Sequence, residues 1–155
     1  MTDKDSEGNR PVRAPFGPTS RSLPIALLRA RESVMGPVRV MLQESNISEQ
    51  QWRVLRVIDE QGEIEQTTIA NAACLQLPSL TRILRNMESE GLVIRRTDRN
   101  DRRKSMVSIT DSGKELIANH AARNAEIFGR LEGLYGREKL ELLLDLLDDL
   151  RHLKL

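Results

Sequence analysis

Leu75 to Arg96 reads "LQLPSLTRILRNMESEGLVIRR", and the fall of its apolar residues decides how the rest of the chain is read. Leu80, Ile83, Leu84 and Met87 form one stripe at helical spacing. Pro78 suits the first helical turn, where its missing N–H has no partner to lose, and Gly91 supplies a stop. At about 3.6 residues per turn, Arg82, Arg85, Asn86 and Ser89 point away from that stripe, with Ser79 and Thr81 on its flanks. Two short strand patterns follow, Leu92 to Thr97 and Ser105 to Ile109, joined by "DRNDRRK", which is too charged to be core.

Upstream, Gln66 to Leu75 predicts a short helix with Ile69, Ala72 and Ala73 inward, small enough for close helix–helix approach. Glu63 to Glu65 has room only for a bridging strand. Before it, "SEQQ" at Ser48 has the capping-box form, and Trp52, Leu55 and Ile58 give the helix it opens an apolar face ending near Gly62. From Leu23, residues Leu27, Leu28, Val34, Met35, Val38, Met41 and Leu42 predict a long first helix, kinked at Gly36-Pro37. Met1 to Ser22 mixes charge, Pro, Gly and Ser without periodicity and reads as a flexible arm. Its arginines Arg10, Arg13 and Arg21 are solvated or touch a phosphate backbone or partner subunit.

Downstream, Thr110 can cap a fifth helix in which Leu116, Ile117, Ile127, Phe128, Leu131, Leu134 and Tyr135 recur. Gly136 breaks it, and "REKLELLLDLLDDLRHLKL" makes a last one. Leu140, Leu143, Leu144, Leu147 and Leu150 form a stripe that a monomer of 155 residues would struggle to bury, and Leu142 and Leu146 widen it. Such a patch predicts a partner. The fold class is mainly α: a winged helix-turn-helix, with a small β-hairpin as wing, between N- and C-terminal helices. The arm spans 1–22 and one domain spans 23–155, its winged lobe at about 48–110 and its flanking helices at about 23–45 and 111–155.

Composition narrows the function. Aromatic residues are only 3%, which argues against a base-stacking platform for single strands. Net charge is +1, yet Ser79 to Lys104 carries eight Lys/Arg against four acids. Local concentration of positive charge is the footprint of nucleic-acid binding. A single cysteine excludes an internal disulfide and a cysteine-based zinc cluster. No apolar run approaches membrane-spanning length and no signal core opens the chain, so no membrane association and a cytoplasmic location are expected. Neither a phosphate-binding glycine loop nor a His/Cys/carboxylate cluster is present, so no enzyme, cofactor or metal is expected.

The front of the fourth helix has the chemistry of a major-groove reader of double-stranded DNA. Arg82 and Arg85 can bond guanine O6 and N7, Asn86 can pair with adenine N6 and N7, and Ser79 and Thr81 can hold phosphates. A solvated helix face also carries polar residues; the hairpin decides between the two. Arg102 and Arg103 repel one another unless an anion is near, and Asp101 can hold one of them extended into a minor groove. The alternative, a winged helix serving only protein interaction or dimerisation, predicts a neutral or acidic wing.

"LPSLTRILRNMESEGLVIRRTDRNDRRKSMVSITDSGKEL" resembles the DNA-binding lobe of the multiple antibiotic resistance regulator (MarR) family. Its most specific part is the wing pattern Asp101-Arg102-Arg103, then Val107, Ile109-Thr110 and Gly113. The resemblance extends from about Leu23 to the C-terminus. Within the family, "SLPIALLRARESVM", "ISEQQWRVLRVIDEQGEIE" and "ACLQLPSLTRILR" are similar to regulators of homoprotocatechuate (aromatic acid) degradation operons. It implies a homodimer interlocked through the terminal helices, with two winged lobes on successive major grooves of a pseudo-palindromic operator. It also implies repression relieved by a small phenolic or aromatic acid.

Polar residues inside apolar stripes are candidates for that effector. Arg31 lies among Leu27, Leu28, Val34 and Met35; His120 and Asn124 lie among Leu116, Ile117, Ile127 and Phe128. Either Glu32, Asp59 or a partner acid neutralises Arg31, or it binds a ligand carboxylate while Trp52 stacks on the ring and His120 or Asn124 takes a phenol hydroxyl. The resemblance places its pocket where the first, second and fifth helices meet. Cys74 has no basic neighbour within a turn to activate it and reads as a buried structural thiol.

Overall fold

The computed structural model describes residues 16–155; Arg10 and Arg13 lie outside the described residues. The described residues divide into two units, 16–33 and 34–155. In the first, Thr19–Arg21 form a 3-10 turn within the stretch expected to be an arm, and Leu23 starts helix α1 (Leu23–Gln43). The second unit begins inside α1. α1 runs without interruption through Pro37, where a kink is expected from the sequence. Proline removes one backbone bond there, and the burial of Val38, Met41 and Leu42 in the following turn holds the helix together across it.

The second unit then follows the predicted order: α2 (Glu49–Gln61), β1 (Ile64–Glu65), α3 (Gln66–Ala72), α4 (Leu77–Ser89), β2 (Val93–Thr97), β3 (Ser105–Ile109), α5 (Asp111–Tyr135) and α6 (Arg137–Arg151). The capping box at α2 is complete. The Gln51 N–H donates to Ser48 Oγ at 3.1 Å and the Ser48 N–H to Gln51 Oε1 at 3.0 Å, satisfying two amides the helix leaves over. The three strands form an antiparallel sheet ordered β1-β3-β2, with Arg95 opposite Val107 and Ile64 opposite Val107 from the other side. Leu80, Leu84 and Met87 of α4 are fully buried with Leu55 and Ile58 of α2, Ile69 of α3 and Val107 of β3.

Three helices close in the same way. The Ile47 N–H reaches Leu42 O, the Leu75 N–H reaches Ala70 O, and the Leu92 N–H reaches Met87 O. In each, the residue before the returning apolar side chain has a left-handed backbone: Asn46 (φ 53), Cys74 (φ 54) and Gly91 (φ 75). This closure satisfies terminal carbonyls and folds the next apolar residue back onto the helix. It also corrects two expectations around α3. Cys74 is exposed, not buried, because the turning residue of such a closure points outward while Leu75 packs on the core. The inward small residues are Ala70 and Ala73, and Ala72 is exposed.

The wing is fastened where α5 begins. Thr110 Oγ1 accepts the Gly113 N–H at 3.1 Å and donates its own proton to Gly91 O at 2.6 Å, and the Thr110 N–H reaches Leu92 O at 3.1 Å. Gly113 is buried so closely that a Cβ there would lie 2.5 Å from Leu92 O and 2.6 Å from an Ile109 side-chain carbon. α6 has no buried residue, and Leu142, Leu143, Leu144, Leu146 and Leu147 are exposed. Among the described residues, no helix is long and apolar enough to cross a membrane.

Gly113→Ala should therefore destabilise the fold by about 1–3 kcal/mol, the usual cost of overpacking against an atom that cannot yield. Urea denaturation followed by circular dichroism measures this, and an unchanged midpoint would mean that the junction relaxes freely.

Candidate nucleic-acid interface

α3 and α4 form a helix-turn-helix whose second helix is oriented by burial. With Leu80, Leu84 and Met87 inward, Arg82, Arg85, Asn86 and Ser89 are exposed, and Ser79 and Thr81 are half-buried at its flanks. Thr81 is engaged inside the motif. Its hydroxyl donates to Leu77 O at 3.0 Å and accepts from Nε2 of buried Gln66 at 2.6 Å. This bond pins α3 to α4, and the hydroxyl proton is not free for a phosphate oxygen. Gln66 escapes the sequence reading because nothing local marks a glutamine at the start of a short helix as buried.

In the wing, Asp98 and Asp101 shape the turn between β2 and β3. Asp98 Oδ1 accepts the Asn100 N–H at 2.7 Å, and Asp101 Oδ1 accepts the Arg103 N–H at 3.0 Å. The guanidinium of Arg103 lies along the same carboxylate, with Nε at 3.1 Å from Oδ1 and Nη2 at 3.3 Å from Oδ2. Arg103 is nonetheless 90% exposed, so Asp101 fixes its direction without covering it.

Carboxylates divide the basic cluster into two sets. Arg95 pairs with Glu88, Arg96 with Glu63, and Lys104 approaches Glu65 at 3.9 Å. These cations are engaged within the fold, two of them by acids outside the basic segment. Among the described residues, Arg82, Arg85, Arg99 and Arg102 form no ion pair, and all four are exposed. The bonds hold the carboxyls below their ordinary range: Glu63 through the Arg96 side chain, Glu88 through the side chain and then the backbone of Arg95, Asp98 through the Asn100 and Asp101 amides, and Asp101 through Arg103.

The other candidate residues fall in two places. Within the second unit, His120 of α5 is 3% exposed, its Nε2 2.8 Å from Ser45 Oγ. Its ring meets Trp52 of α2 edge to face, with centroids 5.8 Å apart. Asn124, one turn on from His120, is half-buried. Arg56 places its guanidinium 5.9 Å from the Trp52 ring centroid; it stands four residues after Trp52, a spacing that could have singled it out. Arg31 belongs to the first unit. It is not buried as its apolar neighbours in sequence suggest: its side chain is 40% exposed and lies 3.7 Å from Glu32. Among the described residues, no group of His, Cys, Asp and Glu could hold a metal.

A helix-turn-helix followed by a hairpin whose tip carries free and directed arginines defines a winged-helix DNA-binding protein. The sequence pattern of the MarR family matches residues 47–105. The chain is 40% identical over 129 residues to the HTH-type transcriptional regulator FarR of Neisseria gonorrhoeae, covering 83% of this chain and 88% of that protein. It is 38% identical over 128 residues to the homoprotocatechuate degradative operon repressor of Escherichia coli, covering 83% and 86%. The solved structure of NadR in complex with 4-hydroxyphenylacetate is similar at a TM-score of 0.79 and 37% identity, over 91% of this chain and 100% of that one. The chain belongs to the MarR family and is a DNA-binding transcriptional regulator, not an enzyme.

Because the wing carboxyls have lowered values in the folded state, their contribution is complete above the unfolded carboxylate range and is lost as pH falls through the folded values. The amide proton shifts of Arg95, Asn100 and Arg103, each bonded to one of these carboxylates, should move as pH falls with midpoints below the ordinary carboxylate values. Midpoints at or above ordinary carboxylate values would contradict the pairing.

Proposed function

We propose that this protein is a cytoplasmic, homodimeric repressor of an aromatic-acid catabolic operon of the homoprotocatechuate type. It leaves a pseudo-palindromic operator when a small phenolic or aromatic acid binds. The observation that carries the DNA half is the division of the cations, since Arg82 and Arg85 stay exposed and unpaired while neighbouring arginines are engaged within the fold. Arg82 and Arg85 read guanine edges and Asn86 an adenine edge in the major groove. Ser79 holds a phosphate at the start of α4, and Thr81 serves the lobe through Gln66. Arg102 and Arg103 approach the backbone or minor groove, with Asp101 directing Arg103.

The exposed leucines of α6 and of the start of α1, Leu23, Leu27 and Leu28, are covered by a second copy of the chain. The dimer sets its two α4 helices one DNA turn apart, about 34 Å. An effector that binds better to another spacing shifts the population away from it and releases DNA with neither DNA-facing surface altered.

The effector class rests on the 38% identity to a homoprotocatechuate operon repressor and the likeness to NadR with 4-hydroxyphenylacetate. Trp52 packs on the ring and His120 or Asn124 meets the phenol hydroxyl; His120 has Nε2 engaged by Ser45 and offers Nδ1. Arg31 is proposed as the carboxylate's partner on its chemistry, and Arg56, beside Trp52, is the second candidate.

Fluorescence anisotropy of a duplex from the gene's own upstream region, with and without 4-hydroxyphenylacetate, tests the reading. Tight, salt-dependent binding that the acid reverses is expected; specific binding that the acid leaves untouched would refute the effector class. Arg85→Ala should cost about 1–3 kcal/mol and relax sequence preference. Arg103→Ala should instead weaken binding to all sequences and reduce the salt slope by about one. Identical effects of the two substitutions would overturn the division of roles. Arg31→Ala and Arg56→Ala should each raise the acid concentration needed for release if that cation holds the carboxylate.

A further inference from the structure

Resting on that reading of α4 and the wing, we infer that Glu88 is a positioning residue for DNA recognition: it holds the wing to the reading helix as one body, without touching DNA. β2 lies at the sheet edge, paired with β3 alone, and an edge strand leaves amides without a strand partner. One of these, the Arg95 N–H, donates to Glu88 Oε2 at 3.1 Å, while Arg95 Nη2 donates to Glu88 Oε1 at 3.1 Å. A single carboxylate in the last turn of α4 thus accepts from both the backbone and the side chain of the central residue of β2. The Arg95 side chain is 23% exposed and its Nε is buried without a partner, so Glu88 is the group that neutralises it. Arg85 and Asn86 lie three and two residues before Glu88, and the strand it grips leads directly into the turn that carries Arg102 and Arg103.

The sign of the effect separates this role from a bland electrostatic one. Removing a carboxylate from a surface that meets a polyanion lowers repulsion, and liberates Arg95 as well, so by charge alone binding would tighten. Loss of the helix-to-wing tie predicts the opposite. Glu88→Ala should bind the duplex roughly tenfold more weakly, and the same change should add less than its full effect once Arg103→Ala has removed one of the two wing arginines, whereas it should add in full to Arg82→Ala. Glu88→Gln keeps an acceptor for the Arg95 N–H but drops the charge on its guanidinium, and should weaken binding by roughly threefold. It carries the test if thermal melting finds the alanine variant unfolded. Unchanged or tighter binding by the folded variants, or equal additivity with both arginine substitutions, overturns the inference. Failure of the wild-type protein to bind its upstream DNA overturns the regulator reading and this inference with it, an outcome distinct from wild-type binding that Glu88 does not affect.

Discussion

Burial of one stripe of α4 is the constraint from which the rest of the lobe follows. Leu80, Leu84 and Met87 are fully inside, each worth about 1.5–3 kcal/mol relative to exposure. Rotating the helix by a single position would carry Thr81 and Arg85 toward the core and expose leucine in their place. Nothing on the polar front needs to hold the helix in its orientation. The front is free to be selected for what it meets, because the back alone fixes where it points. The Gln66–Thr81 bond adds a directional pin between the two helices of the motif.

The wing depends on that helix in turn. It has few buried residues of its own, Val93 and Val107 among them, and a two-stranded ribbon with so little core would be marginal alone. It is anchored by Glu88 at the edge, by Glu63 and Glu65 from the β1 side, and by the Gly113 junction at its base. Exposed ion pairs contribute little to global stability, so their value lies in geometry. They commit some positive charges to posture and leave others for the surface. A net charge of +1 conceals this arrangement entirely.

Much of this architecture is legible in the sequence because its determinants are local. The capping box at Ser48, the Thr110 cap, the glycines at 62, 91 and 136 and the stripe of α4 each lie within a few residues of what they specify. What escapes is non-local or atypical. The partners Arg96 and Glu63 are 33 residues apart, and no periodicity announces such a pair. Cys74 takes a left-handed turn that glycine or asparagine usually marks, so its exposure is unreadable from residue type. Helical spacing alone suggests burial for Arg31, but spacing gives a face and not the depth of its cover. The residues of the candidate interface stand out in the sequence as a set on one helix and one turn. The split between engaged and free cations, however, requires coordinates.

Trp52 is the only tryptophan in the chain, and its indole is set edge to face against the imidazole of His120. A lone indole in a defined, largely dry environment makes the protein its own optical reporter. Its emission comes from one place, beside the residues proposed to meet the effector, and an imidazole is a quencher whose strength changes with protonation. Occupancy of that region can therefore be followed in the unlabelled protein, in the presence or absence of DNA, by the colour and intensity of a single chromophore.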